Sequence, residues 1–250
     1  MSHDVDRTVV ISGAAGAIGA ATVDAFLERG LAVIGIDRRP GRAASHDRYQ
    51  HLLVDVGDEA ALLEGLSLVT DLAPVAHVVG IAGGALPDEP TLRDDPGRID
   101  MDLFRASVEA NLTSQFCLVR TTLTLLAGEP DADRSISLIS SFNASSAQGM
   151  PAYSAAKAGL VGMMHGLVEP LGRTGIRVNV VAPGTVRTPR TEALWADVPG
   201  HFDRLVAGTA LGRLATPSDV AAAFVALALD LRHVTGQVLT VDGGQTAIHR

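Results

Sequence analysis

Tyr153 and Lys157 stand four residues apart in Tyr153-Ser-Ala-Ala-Lys157, at the head of a stretch with helical patterning. On a helix that spacing puts both side chains on one face, within reach of a common ligand. A phenol is a weak base at neutral pH, and an ammonium a few ångströms away favours the phenolate and lowers its pKa. The pair reads as a proton-transfer device. The chain has two tyrosines and a single lysine among 250 residues, so chance would give this spacing in roughly one chain in a hundred.

A second device lies near the N-terminus, where Ser12-Gly-Ala-Ala-Gly-Ala-Ile-Gly19 follows the apolar run Thr8-Val-Val-Ile11 and leads into a helical pattern. Small residues there permit a tight turn, close approach of backbone to a pyrophosphate, and close packing of helix on strand. The helix N-terminus offers free N–H groups and positive dipole to phosphates. Asp37 closes the second apolar run, 18 residues beyond Gly19. A carboxylate at that point accepts hydrogen bonds from both ribose hydroxyls of an adenosine and repels a 2′-phosphate. Arg38 and Arg39 follow and could bind that phosphate instead. Asp37 is fixed at a strand end whereas loop arginines can swing away, so NAD is favoured over NADP. Asp55 and Val56, ending the third strand, are placed to contact the adenine edge, and a plain strand-terminal acid is the competing reading.

These devices need a scaffold. The spacing predicts strands at Thr8–Ile11, Leu31–Ile36, Leu52–Val54, Val75–Val79, Ile136–Ile139, Val178–Val181 and Val238–Val241, and helices around 17–29, 58–66, 98–127, 152–172 and 217–230. Several strands are almost wholly apolar, as strands buried on both faces of a parallel sheet are. The alternation predicts an α/β fold: one domain over 1–250, a Rossmann-like doubly wound parallel sheet of about seven strands with helices on both faces. No repeat or linker divides the chain. Residues 87–97, with Pro87, Pro90 and Pro96, read as a surface loop. Residues 183–203 hold three prolines with Trp195 and Phe202, which points to an irregular lid, around 185–208, rather than to a core element.

Composition excludes other classes. Apolar residues make up 47% and charged residues 19%, enough for a large core and unlike a disordered chain. The longest apolar run, Val220–Leu229, is ten residues, short of the ~18 a membrane span needs. Net charge is −8, with no basic run beyond Arg38-Arg39, which argues against nucleic acid. Eight histidines show no ligand spacing, and Cys117 is the only cysteine, so no metal site and no disulfide framework is expected. The polar, acidic start Met1–Asp6 lacks a signal-peptide pattern, and the expected compartment is the cytoplasm.

Taken together, the motifs resemble those of the short-chain dehydrogenases/reductases, over nearly the whole chain. Ser12 to Gly19 is similar to that family's glycine turn, with Ser12 for Thr and Ala17 for the middle Gly. Tyr153 and Lys157 match its active-site pair, and Asn111 in Asn-Leu-Thr-Ser matches its asparagine. Pro183-Gly-Thr-Val-Arg-Thr188 is similar to the loop that holds the nicotinamide carboxamide. Gly212 to Val220 and Thr235 to Gly244 complete the order. The resemblance implies hydride transfer between nicotinamide C4 and a carbonyl or alcohol carbon of a small molecule. Tyr153 would move the proton, Ser141 would hydrogen-bond the substrate oxygen, Lys157 would bind the nicotinamide ribose, and Asn111 would support a proton relay through a water. Ser12, Gly13, Ala17, Ile18, Gly19, Asp37, Asp55, Val56, Ala82, Gly83, Pro183, Gly184, Val186 and Thr188, with Tyr153 and Lys157, would line the cofactor. A homotetramer is implied, and the apolar stretch Ala221–Leu229, richer than one buried face requires, suits such packing.

Two serines compete. Counting back from Tyr153 favours Ser140, and ungapped alignment of the strand Ile136–Ile139 favours Ser141, which is preferred because strand register controls which side chains face the cofactor. Three departures stand out: Gly80-Ile-Ala-Gly83 lacks the amides that usually tie this strand to its neighbours, Ala17 adds a methyl, and Pro170 should kink or end the helix carrying Tyr153. The substrate pocket is expected from Phe142–Gln148, Ala85, Leu86 and a lid with Leu194, Trp195 and Phe202, a mixed lining without a dedicated charge cluster. Competing readings are an NADPH-dependent 3-oxoacyl-type reductase and a non-catalytic NAD-binding regulatory protein.

Overall fold

A computed structural model describes residues 7–41, 46–69, 73–89, 95–126, 133–146 and 149–247. Pro90, Gln148 and the segment Met1–Asp6 lie outside these. Seven parallel strands form one sheet in the order β3-β2-β1-β4-β5-β6-β7: β1 Thr8–Ser12, β2 Ala32–Asp37, β3 Tyr49–Leu53, β4 Val75–Gly80, β5 Arg134–Ile139, β6 Ile176–Pro183 and β7 Val238–Val241. The order reverses between β1 and β4, and in open sheets of this kind ligands bind at that switch, beyond the carboxyl ends of the strands.

Every residue of β1, β2, β5 and β6 is buried; β1 and β2 accordingly read as nearly continuous apolar runs, whereas β5 and β6 also bury Arg134, Ser135, Ser137, Arg177 and Asn179. Strand β3 begins three residues before the expected Leu52, because an edge strand needs no apolar run and Tyr49-Gln50-His51 is only half buried. Two cores flank the sheet. Helices α1 (Ala17–Glu28) and α8 (Pro217–Val225) cover one face through Val23, Phe26, Val220 and Phe224. Helices α2 (Glu59–Ser67), α4 (Ser114–Thr122) and α5 (Pro151–Gly172) cover the other through Leu62, Leu66, Leu118, Val119, Leu160 and Met164.

Four expectations change in detail. The helix expected over 98–127 is two, α3 (Met101–Val108) and α4, joined by a π-helical turn at Glu109–Thr113 that holds Asn111. The segment expected to be irregular is helical in part: Pro189 starts α6 (Pro189–Leu194) and α7 (His201–Ala207) follows. Pro189 does not break the helix because it occupies the first turn, a position at which its missing N–H costs nothing. Helix α5 runs two residues past Pro170 before ending at Gly172. The apolar stretch Ala221–Leu229 is consumed within the chain: all but Ala222 and Ala226 are buried, against α1 and the sheet, so its richness gives no assembly surface. Among the described residues, no helix is long and apolar enough to cross a membrane.

Candidate active site

At the carboxyl edge of the sheet a cleft of about 1190 Å³ runs from Asp37, Arg38 and Asp55 past the glycine turn to Tyr153 and Trp195. Ser12 fixes its floor: Oγ accepts the N–H groups of Ile81 at 3.1 Å and Ala82 at 3.3 Å, tying β1 to the end of β4. Gly13 has φ +73°, and a Cβ there would lie 2.7 Å from the Ala82 nitrogen. A Cβ on Gly19 would lie 1.9 Å from the Gly13 carbonyl oxygen, so only glycine lets α1 start so close to the strand. Helix α1 begins after Gly16 with no side-chain cap and no acid in its first turn, leaving its N–H groups to an anion. Ala17 is exposed, so its methyl obstructs nothing, and Ile18 lines the cleft.

Asp37 is buried, and both its oxygens are engaged: Oδ2 accepts the Ala15 N–H at 3.0 Å, and Oδ1 accepts the Arg39 N–H at 3.0 Å and Nε at 3.4 Å. Arg39 therefore folds back on the carboxylate instead of swinging away, which offsets part of any repulsion of a 2′-phosphate. Arg38 stands 4.0 Å from Asp55, whose Oδ1 accepts the Gly57 N–H, and Val56 is buried beside them.

The segment after β4 shows what sequence reading missed. The expected strand amides are absent, but Gln115 on α4 supplies one from the side: Nε2 donates to the Ala82 carbonyl at 2.5 Å. Gly80 makes room for it, since a Cβ there would meet Gln115 Oε1 at 2.0 Å. The signal was a glycine where an amide is usual, paired with an amide one helical turn beyond Asn111. Gly83 and Gly84 then take φ +123° and +129°. Asn111 holds them: Oδ1 accepts the Gly84 N–H at 2.7 Å, and Nδ2 donates to the carbonyls of Gly84 at 3.1 Å and Ser107 at 3.0 Å. Buried Glu89 braces this set, accepting the Ser107 hydroxyl at 2.9 Å and the Leu86 N–H at 2.6 Å.

Tyr153 and Lys157 project from the first turns of α5, which Pro151 opens after Met150 in a left-handed conformation. Ser141 faces the Tyr153 phenol closely enough to pull its pKa down, while its Oγ accepts the Asn143 N–H at 3.2 Å and donates to Asn143 Oδ1 at 3.3 Å. Ser140 turns the other way, donating to the Lys157 carbonyl at 2.8 Å. Lys157 is fully buried; Nζ donates to the Ile139 carbonyl at 3.0 Å and lies 5.6 Å from the Tyr153 ring centre. Burial lowers its pKa to about 7, and the Arg190 charge adds to that. The expectation that this lysine depresses the tyrosine is corrected: burial holds the Tyr153 pKa above the usual phenol value, Ser141 and Arg190 pull it down, and Glu89 pushes it up.

Over this end lie Pro183, Gly184, buried Val186 and Thr188, the last capping α6 by accepting the Thr191 N–H at 3.1 Å. No residue of α6 or α7 is buried, as befits elements laid over a cleft rather than into a core. Trp195 stacks on His201 with ring centres 4.4 Å apart. Arg190, on α6, reaches back across the cleft to the carbonyls of Gly83 and Ala85 and was not singled out from the sequence.

Residues 13–246 match the family described as enoyl-(acyl carrier protein) reductase. The chain is 34% identical over 256 residues to cis-4-hydroxycyclohexanecarboxylate dehydrogenase of Sinomonas cyclohexanicum, covering 97% of this chain and 98% of that protein. An oxidoreductase of the short-chain dehydrogenase/reductase family from Burkholderia thailandensis matches with TM-score 0.86 and 36% identity, over 98% of this chain and 94% of that one. A 3-oxoacyl-(acyl-carrier protein) reductase with bound NAD from Brucella melitensis matches with TM-score 0.80 and 28% identity, over 97% and 92%.

Proposed function

Because the chain belongs to the short-chain dehydrogenase/reductase family, acting as an oxidoreductase on CH–OH groups, we propose that it interconverts a secondary alcohol and a ketone with NAD, as one catalytic domain with a lid over 185–208. The observation that carries this reading is the grouping of Tyr153, Ser141 and Lys157, the lysine Nζ 5.6 Å from the Tyr153 ring centre, in the same cleft as an uncapped helix N-terminus. The residues fit a nicotinamide dinucleotide: Gly13 and Gly19 leave a cradle that any Cβ would fill, and Asp37 stands where an adenosine ribose would lie. When bound, the nicotinamide supplies or takes up the hydride.

Tyr153 would give or take the proton at its phenol oxygen, and Ser141 would hold the substrate oxygen beside it. Lys157, buried under the ring, would hold the nicotinamide ribose. For Asn111 the reading narrows: its amide is committed to Gly84 and Ser107, so we assign it to positioning the 83–85 segment rather than to relaying a proton through that amide. Ser12, Gly13, Ala17, Ile18 and Gly19 would face the pyrophosphate, Asp55 and Val56 the adenine, Ala82 and Gly83 the sugar side, and Pro183, Gly184, Val186 and Thr188 the carboxamide. The buried Asp37 carboxylate supports NAD, and the NAD-bound Brucella reductase is consistent with it. The Arg38–Arg39 pair beside it keeps an NADPH-linked reductase as the second reading. A homotetramer in the cytoplasm completes the proposal; support for assembly is the half-exposed edge strand β7, with Val238 41% exposed.

The relative from Sinomonas acts, by its name, on a cyclic hydroxy acid, so such acids head an alcohol panel followed by NADH absorbance. Turnover in the wild type, lost in Tyr153→Phe while NADH still binds, is expected. A panel oxidised equally well by both proteins would overturn the reading.

A further inference from the structure

The lid carries a cation that the mechanism above does not use. Arg190, in the first turn of α6, extends over the cleft rather than away from it. Its Nη1 donates to the Gly83 carbonyl at 3.4 Å and its Nη2 to the Ala85 carbonyl. A Cβ on Gly84 would lie 2.9 Å from Nη1, so the guanidinium rests directly on that glycine. Its neighbour Arg187 pairs with Glu192 and Arg213 with Asp219, whereas among the described residues Arg190 meets only neutral carbonyls. The side chain remains exposed, so an incoming anion can reach it. Arg190 lines the same cleft as Tyr153 and Lys157, and its charge pulls both of their pKa values down.

From these contacts we infer that Arg190 is the anchor for a carboxylate on the substrate, and that the substrate class is a hydroxy or oxo acid whose apolar skeleton separates the two functions. A carboxylate accepts two parallel N–H bonds from the guanidinium fork, each stronger than a bond to a neutral carbonyl, and so displaces the Gly83 and Ala85 contacts. Leu86, Met150, Leu194 and Trp195 line the space between and would pack a carbon ring or chain. The inference rests on the dehydrogenase reading for the identity of the reacting alcohol, but not for the carboxylate site itself.

Two measurements separate them. In the first, 4-hydroxycyclohexanecarboxylate and 3-hydroxybutyrate are each compared with their methyl esters. The wild type should prefer the acids by about tenfold or more in kcat/KM, the worth of one charge-assisted pair. Arg190→Gln should erase that preference, mainly through KM, and Arg190→Lys should restore part of it. In the second, cyclohexanecarboxylate, which cannot react, should raise the Tm of the NADH-loaded wild type but not of Arg190→Gln, and cyclohexylmethanol should raise neither. Alcohols turned over with no preference for acids, in wild type and Arg190→Gln alike, would overturn the anchor and keep the dehydrogenase. Carboxylate binding lost in Arg190→Gln, with no alcohol turned over by any variant, would keep the anchor and overturn the dehydrogenase. Loss of NADH affinity in Arg190→Gln to the same extent as turnover would assign the guanidinium to cofactor phosphates and overturn the anchor.

Discussion

Gly80 and Gln115 form a couple whose energetics can be worked from distances. Gln115 is fully buried; it gives one hydrogen bond, to the Ala82 carbonyl, while its Oε1 has no hydrogen-bond partner among the described residues. Gln115→Ala strands the Ala82 carbonyl, at about 1–3 kcal/mol, but also removes an unsatisfied amide oxygen worth a similar amount. The two nearly cancel, and with the small void left behind the net loss should be about 1 kcal/mol. Gly80→Ala is different, because its methyl would sit 2.0 Å from Gln115 Oε1 and 2.7 Å from Leu138 Cδ2. Overpacking of that kind costs about 1–3 kcal/mol. In the double variant the methyl occupies space the amide has left, and only the flexible end of Leu138 must yield. The double variant should therefore be more stable than the sum of the singles by about 1 kcal/mol or more. In a chain of this size that is a few degrees in Tm. Urea denaturation of the four proteins at one concentration, with Cm compared at constant m, measures the coupling. Losses that add within about 0.5 kcal/mol would refute the reasoning, since residues in contact should not behave as independent sites.

Asp37→Ala should narrow the gap in thermal stabilisation between NADH and NADPH, with Arg39 released to meet a 2′-phosphate; an unchanged gap would remove Asp37 from cofactor choice. Ser141→Ala should lower kcat by about a hundredfold or more, whereas Ser140→Ala, which loses only the bond to the Lys157 carbonyl, should cost about 1 kcal/mol of stability and little turnover; the reverse pattern would exchange the two serines. Lys157 binds its proton more weakly folded than unfolded, so the unfolded chain holds more protons between pH about 7 and 10.5. Stability from this group should rise with pH across that window, by up to about 1.4 kcal/mol per pH unit, and Lys157→Met should flatten the rise in denaturation curves.

Much of this was legible beforehand because it depends on local chemistry. Glycines at 13 and 19, a terminal carboxylate at 37 and the Tyr153–Lys157 spacing each announce themselves within a few residues. Buried central strands read clearly for the same reason, while β3 was misplaced because an edge strand carries a mixed pattern. The contacts that escaped are those between distant segments. Gln115 meets Gly80, and Arg190 meets Gly83 and Ala85, only after the chain has folded. The direction of the Tyr153 shift escaped too: spacing showed the lysine's proximity but not that burial of the phenol itself raises its pKa. The apolar stretch Ala221–Leu229 misled for a related reason, since a segment packed against both α1 beside it and the sheet beneath it needs apolar residues nearly all round.

The burial of Lys157 has a consequence for handling the molecule. It is the chain's only lysine, and nothing of it reaches solvent. The positive charge of the folded surface is therefore carried by guanidinium groups, with no lysine amine for acylating reagents to find. Lys157 lines the cleft, so acylation there waits on reagent entering that cleft or on the start of α5 opening, and its rate is a clock for access to the catalytic end, read at a single atom. Peptide mapping by mass spectrometry after pulses of reagent, scoring Lys157 apart from the α-amino group, would time access to the catalytic end directly. Anything that seals the cleft should slow the clock, and each candidate ligand can be ranked by the delay it imposes.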